Sequence, residues 1–468
     1  MAYLHGVETV DIQTGSRPVQ VVRSAIIGLV GISPSGPKNQ ITLVTSERDA
    51  AQFGLQVPGF TIPQSLDAIF SQGAGAVLVI NVFDAATHTT EVAAESKTVT
   101  NGKLKLTSAP IGAVTITDAA GAAVTYIKGT DYQIDDYGNF TVLSSQIANG
   151  TVLKFTYKKL NVSAVDGAAI VGSYAAGVRT GMKLFDAAYN LFGFNPKILI
   201  APGFSTLAVV AAAMITAAKQ FRAITYLDAP AGTTVADAIA GRGPAGTINF
   251  NTSDKRVELL YPQLKKYDPA TGQYVNFAYS AFKAGVRAAV DNADGFWFSD
   301  SNREIKGTTG AEVDISAGLS DQNSDANNLN AAGITTVFNS FGSGLRTWGN
   351  RNASFPTNAG ADSFNNIVRL KDIVSESLEY AALQFLDQPV TQAWIDSVRE
   401  TANAFIRVLI ARGALIPGSE FKFNKADNPV TELAAGHVTF EMVIMGPTPA
   451  ERITFNTVLD INLLSNLV

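Results

Sequence analysis

Residues 24–32, SAIIGLVGI, form an unbroken apolar run of strand length, and comparable runs return as AVLVINV from Ala76, PKILIAPG from Pro196, AITYLDAP from Ala223 and VELLYP from Val257. A strand without a polar face is buried on both sides. Between these runs lie segments with helical signals. IPQSLDAIFSQG carries Pro63 near its start and Gly73 at its end, residues 207–220 are Ala-rich, and helices are also expected at 233–240 and 279–290. ITLVTS from Ile41 adds a short strand. Strands alternating with helices need crossover connections, so the expectation is an α/β domain with a largely parallel sheet.

That rhythm breaks between about residues 87 and 160, which show no helical period and many turn signals, among them Asn101-Gly102 and DYGN from Asp136. The pieces KLKLT, AVTI, AVTYI, DYQID, NFTVL and TVLKFTY predict a small all-β, sandwich-like module inserted in a surface loop of the α/β domain, where insertions cost little. The polar stretch DQNSDANNLN at 321–330 reads as the boundary to an α+β C-terminal domain. In that domain Trp394, Ile395, Val398, Phe405, Ile406, Leu409 and Ile410 share one side of a helix over 391–412, with Gly413 as its stop. A further helix is expected over 371–386. The expected units are a terminal arm at 1–22, an α/β domain split into 23–86 and 161–320, the inserted module at 87–160, the C-terminal domain at 321–447 and a second arm at 448–468.

Both arms read as strands without an evident sheet. Ile453, Phe455, Leu459, Ile461 and Leu463 fall on one face of an extended segment, with Arg452, Thr454, Asn456, Asp460 and Asn462 on the other. At the other terminus Val7, Val10 and Ile12 are the apolar candidates, with Thr9, Asp11 and Gln13 opposed to them. Such strands are either edges of their own sheet or additions to another chain's, and two of them on one chain point to a polymer. Gly15 and Pro18 mark a hinge for the first arm, and Gly446, Pro447 and Pro449 one for the second.

Composition agrees with an assembly. Charged residues make up 16 % of the chain against a usual value of about 25 %, and the cores of protein interfaces are depleted of charge. A net charge of −5 without any Lys/Arg cluster argues against nucleic acid as a direct ligand. With no cysteine, disulfides, thiolate catalysis and Cys-containing metal sites are excluded. No secretory signal is visible in MAYLHGVETV, which places synthesis in a cytoplasm, and the longest apolar run is too short to enter a bilayer as a span.

Chemistry is hard to find. His5, His88 and His437 lie far apart with no ligand or triad spacing. GRGPAG from Gly241 matches a dinucleotide fingerprint literally but follows a predicted helix rather than a strand, and reads as a glycine-rich loop. Asp321, Asn323 and Asp325 resemble the start of a calcium loop, yet Ala326 replaces the turn glycine and Ala332 the bidentate Glu. Asp294, Asp300 and Asp314 read as turn residues or caps. An α/β enzyme remains a competing class, although no GxSxG nucleophile elbow follows a strand. An adhesive β-rich surface protein is the other.

Nine segments then occur in a particular order: HGVETVDIQTGSRPVQVVRSAIIGLVG, FNPKILIAPGFS, YLDAP, DGFWFSDSNREIKGTTG, LNAAGITT, WGNR, FNNIVRLKDIVSESL, ARGALIPG and PTPAERITF. Together they resemble the contractile-tail sheath proteins of myophages and R-type bacteriocins. Two positions depart from that pattern: Asn352 stands where the family usually has Thr, and Leu370 where it often has a second Arg. The resemblance implies a structural protein with no catalytic residues and no cofactor, whose α/β domain looks like a subtilisin-type sheet. It also implies hexameric rings stacked as a six-start helix around a tail tube, contraction for genome delivery, and arms that add strands to a neighbour's sheet. The expected partners are other copies of the chain, the tube protein, and baseplate and tail terminator proteins. The expected location is the sheath of a virion tail, assembled in the host cytoplasm, or of a related bacteriocin or injection particle. The C-terminal domain would face the tube, with Arg399, Asn403 and Arg407 on the 391–412 helix as contact candidates, and the inserted module would face outward.

Overall fold

The computed structural model describes residues 18–467 apart from 74, 340, 341 and 343. Its centre is an eight-stranded sheet. In chain order the strands are β1 (Ile26–Gly31), β2 (Ile41–Val44), β3 (Ala76–Asn81), β4 (Ile198–Ile200), β5 (Ile224–Asp228), β6 (Val257–Leu260), β7 (Ile334–Asn339) and β8 (Leu345–Trp348), arranged as β8-β7-β6-β5-β4-β1-β3-β2. Neighbours from β7 to β3 pair in parallel, while β2 and β8 close the two edges antiparallel. The apolar runs are explained by cover on both faces. Val30, Leu78 and Leu199 pack with Phe185 and Met214 on one side, and Ile27, Leu29, Val77 and Val79 pack with Ile62 and Phe282 on the other.

Helices α1 (Ile62–Phe70), α2 (Ala208–Phe221) and α3 (Tyr279–Ala293) provide that cover. At the crossing of α1 and α3 a β-carbon on Gly285 would sit 2.8 Å from the Ile69 carbonyl oxygen, so only glycine allows this approach. Helix α3 is buried around nearly its whole surface, including Ser280, Lys283, Arg287 and Asp291. Those four polar residues follow 3/4 spacing and form one stripe.

The inserted module has its own core. One sheet combines strands Thr89–Thr98, Val152–Leu160 and Ile111–Asp118, the other Lys103–Lys105, Asn139–Val142 and Tyr132–Ile134, with Phe140, Leu153 and Phe155 buried between them. Its two connections to the body meet where the Asn161 amide donates to the His88 carbonyl at 3.0 Å. AVTYI, expected as a strand, makes only an isolated bridge at Ala123, whereas the strand at Thr89–Thr98 lies in sequence with too weak an alternation.

The boundary expected at residue 321 is corrected. Most of the polar stretch, from residue 325 on, is a helix, Asp325–Ala331, capped by Ser324, and β7 and β8 beyond it complete the main sheet. The polar residues there are a helix surface and its cap rather than a linker. Beyond the sheet, α4 (Asn365–Ala382) and α5 (Gln392–Ala411) pack around Leu370, Val374, Phe405 and Leu409, and a two-stranded ribbon joins Glu420–Lys422 to Glu441–Val443. Helix α4 begins six residues before the expected 371 because Phe364 at its N-cap and the buried amides Asn365 and Asn366 are already packed. A hairpin of Leu264–Asp268 and Gln273–Phe277 was also not anticipated.

Candidate assembly site

Helix α4 joins the C-terminal domain to the sheet. Its acids Asp372, Glu376 and Glu379 share one face, and each meets a base that stands one or two residues ahead of a parallel strand. Arg256 before β6 binds Asp372 with both nitrogens of its fork, Lys197 before β4 binds Glu376, and Arg222 before β5 binds Glu379 at 2.6 and 2.9 Å. Burial pushes Lys197 below its ordinary value even with Glu376 beside it. The Arg222 pair is the more exposed of the three and contributes least.

The same helix roots both arms. Along it, Ser377 accepts from the Val22 amide at 3.1 Å and Arg369 donates to the Ser24 carbonyl at 3.2 Å while pairing with Asp291. Val19 and Val22 pack into the C-terminal core. At the other terminus Gly446 lies against Leu370, where an added β-carbon would approach Leu370 Cδ2 to 2.2 Å. Five residues later the Arg351 fork holds Glu451, with Nη2 to Oε2 at 2.6 Å and Nε to Oε1 at 3.1 Å. The chain then leaves the body.

From Arg452 to Leu467 every residue is exposed, with Phe455 at 86 % and Leu459 at 92 % of full accessibility. Ile453, Phe455 and Leu459 lie in a segment without regular structure, and Ile461–Leu467 forms a 3₁₀ turn. The strand expected through Leu463 is therefore corrected for the free chain. A lone strand leaves its backbone groups to water, whereas Asp460 can accept locally from the Asn462 amide at 2.9 Å and close a turn.

The remaining candidates separate. Val7, Val10, Ile12 and Gly15 lie outside the described residues, and Pro18 is the first described one. Gly446 is packed, so the proposed second hinge, including Pro447 and Pro449, spans two anchors rather than a free joint. Asn403, expected on the polar face of the helix as a tube contact, is half-buried: its amide donates to the Phe421 carbonyl at 2.8 Å and accepts from the Phe421 amide at 2.8 Å, docking the ribbon onto α5. Arg399 pairs with Asp396 at 2.9 Å and Arg407 with Glu400, both on the exposed side of α5.

Inside the body, sequence reading missed a buried charge cluster. Lys283 stands 2.9 Å from Glu258 of β6 and 3.1 Å from Asp300, and Arg287 lies 2.6 Å from Asp291. Asp300 is thus no turn residue. Burial would depress Lys283, but Asp300 and Glu258 outweigh it and hold the ammonium above the usual lysine range. Next to the cluster, Asp228 accepts from the Ser280 amide at 2.7 Å and from the Ser205 hydroxyl at 3.1 Å, yet burial pushes its carboxyl up to about 6. The 3/4 spacing of polar residues in α3 was the available signal.

Neither described histidine joins this cluster. His88 Nδ1 accepts from the Asp84 amide at 3.0 Å, with burial lowering its basicity, and His437 pairs with Glu432 on the surface. Arg242 of the GRGPAG loop donates to the carbonyls of Phe250, Ala332, Ala353 and Phe355, making that loop a backbone clamp. Among the described residues no group of His, Asp or Glu could hold a metal ion, and no helix is long and apolar enough to cross a membrane.

A mixed α/β body with separate sheets and two rooted arms, one carrying exposed apolar residues, defines a structural subunit. The phage tail sheath protein central-domain family matches residues 177–353. The tail sheath protein of Burkholderia phage BcepMu is 47% identical over 464 residues, covering 97% of this chain and 96% of that protein. The tail sheath protein of Escherichia phage P2 is 25% identical over 467 residues, covering 100% and 98%. In fold the chain is similar to the anti-feeding prophage helical sheath in its contracted state, with a TM-score of 0.63 and 15% identity, covering 98% of this chain and 100% of the other. The chain belongs to the phage tail sheath protein family. It is a structural tail sheath protein and not an enzyme.

Proposed function

We propose that the chain polymerises as hexameric rings in a six-start helix around a phage tail tube, and that this sheath contracts to drive the tube through the host envelope. The observation that carries the reading is the row of exposed apolar side chains, Ile453, Phe455, Leu459, Ile461 and Leu463, beyond the last anchor at Glu451. A monomer seldom exposes so much contiguous apolar surface without a partner. The ribbon of Glu420–Lys422 and Glu441–Val443 is a suitable acceptor, because a two-stranded sheet is marginal alone and, while Asn403 occupies the backbone of Phe421 on one edge, the outer edge of Glu441–Val443 carries no strand among the described residues. Strand addition supplies about 1 kcal/mol net per backbone hydrogen bond, and burial of Phe455, Leu459 and Ile461 about 1.5–3 kcal/mol each, against the cost of ordering the arm.

In this reading the 3₁₀ turn at Ile461–Leu467 opens into a strand on a neighbour, and the first arm pairs in the same way. The assembled sheath is metastable. Contraction repacks the bodies into a lower-energy lattice while the strand links persist, so no nucleotide is consumed. The sheet serves as a subtilisin-type scaffold without catalytic residues, the module faces outward, and Arg399 and Arg407 are the remaining tube-facing candidates. Tube, baseplate and terminator proteins are the partners, with assembly in the host cytoplasm and residence in the virion. Relatives named as phage tail sheath proteins favour this over a free injection particle. Removal of residues 453–468 is expected to leave a folded monomer that forms no striated tubes in electron micrographs; tubes of normal length from it would refute the role of the arm.

A further inference from the structure

We propose that Arg351 and Glu451 form a positioning clasp that sets where and in which direction the C-terminal arm leaves the body. The inference rests on the reading of the exposed segment as the exchanged one. Arg351 is already fixed before Glu451 reaches it. Its guanidinium lies 3.6 Å from the centre of the Phe364 ring and 4.7 Å from that of Phe355, and it also donates to the Ser363 hydroxyl. Beneath it, the buried Asn352 donates to the Asp362 carbonyl at 2.8 Å and accepts from the Ser354 amide at 3.1 Å, holding the loop that carries Arg351. A planar fork held in this way loses little freedom on binding a carboxylate, unlike an ordinary surface pair.

Among the described residues Glu451 is the last in chain order with a hydrogen bond to the body; the bonds beyond it, at Asp460, Asn462, Leu463 and Ser465, stay within the arm. Upstream, Gly446 is seated on Leu370, and the intervening segment contains Pro447 and Pro449. With the clasp closed, Ile453 is two residue steps from the anchor, a reach of about 7 Å. With it open the tether starts at Gly446 and spans seven residues, about 24 Å. Scaling as the −3/2 power of tether length, the effective concentration of the arm at a neighbour's edge falls roughly sixfold when the clasp opens.

The test uses full-length protein carrying E451A, R351E, E451R or the exchanged pair R351E/E451R. Light scattering gives the concentration needed for polymerisation, melting curves report the fold, and hydrogen exchange follows residues 447–456. The single variants are expected to need roughly five- to tenfold more protein to form tubes, with faster exchange at 447–456, and E451A and E451R are expected to melt as the parent does. The exchanged pair is expected to return within about twofold of the parent. Normal polymerisation of E451A overturns the clasp, as does a folded R351E/E451R protein that stays impaired, which would assign Arg351 to its rings alone. If R351E fails to fold, E451A decides, since it leaves Arg351 in place. Should the chain lacking residues 453–468 still form tubes, the arm reading itself fails; if that truncation is inert and E451A is normal, only the clasp is wrong.

Discussion

Asp228 sits at the end of β5 with three donors around its carboxylate, two from Ser280 and one from Ser205, and is still pushed up to about 6 by burial. Its unfolded value is near 3.8, so between about pH 4 and 6 the folded state binds more protons than the unfolded. The associated stability is fully present below pH 4 and lost as pH rises through 6, amounting to at most about 3 kcal/mol. Asp228→Asn keeps a carbonyl to accept from the Ser280 amide and removes the titration. Urea unfolding of the dilute monomer between pH 4 and 7 is expected to show this downward component in the parent and its loss in the variant; equal pH slopes would contradict the assignment. Nothing in YLDAP distinguishes this aspartate from a turn residue, because its partners lie 23 and 52 positions away.

Helix α4 shows how an element can be legible in outline and misread in purpose. The apolar spacing of Ile367, Leu370, Ile373 and Val374 marks a helix, and these residues are buried as the period implies. Asp372, Glu376 and Glu379 look like a solvated face until Arg256, Lys197 and Arg222 are seen opposite them. Asp372→Asn with Glu376→Gln leaves Arg256 and Lys197 largely buried without counter-charges, a change costing about 3–5 kcal/mol for a buried pair. Hydrogen exchange is expected to quicken across residues 365–382 and at the arm roots, with α2 unaffected. Uniform protection in both helices would show that apolar packing alone holds α4. Strands β1 and β3 were readable because both faces are apolar, whereas β7, the start of α4 and the 264–277 hairpin draw their polar residues inward through tertiary pairing, as Thr335 does with Glu258 at 2.7 Å.

At the scale of the whole molecule the chain is a body with separate cores, and its attachments differ in kind. The inserted module is tied to the body at His88–Asn161 and touches it again where Lys105 donates to the Ala270 carbonyl at 2.7 Å. Because the module has its own core, replacing residues 89–160 with a short Gly/Ser linker is expected to leave the body folded, with melting lowered by only a few degrees, about 2–4 °C. In the outward-facing reading the shortened chain forms tubes of unchanged axial repeat and smaller outer diameter by electron microscopy. Failure of a folded variant to polymerise would place the module in the lattice contacts instead.

The amino-acid sequence by itself determined the elements whose signals are local: the apolar strands, the amphipathic helices, the interruption by an all-β module, the poverty of catalytic groupings and the ordered segments shared with tail sheaths. Period and turn chemistry operate over a few residues, so they survive without a structure. Tertiary structure alone decided which charges are buried, that Asn403 serves the ribbon, that the main sheet runs on to Trp348, and that the C-terminal arm departs at Glu451 rather than Gly446. Each of these depends on partners distant in the chain, as with Arg351 and Glu451, which are 100 positions apart. The energy of such a contact comes from burial and geometry that no local pattern encodes.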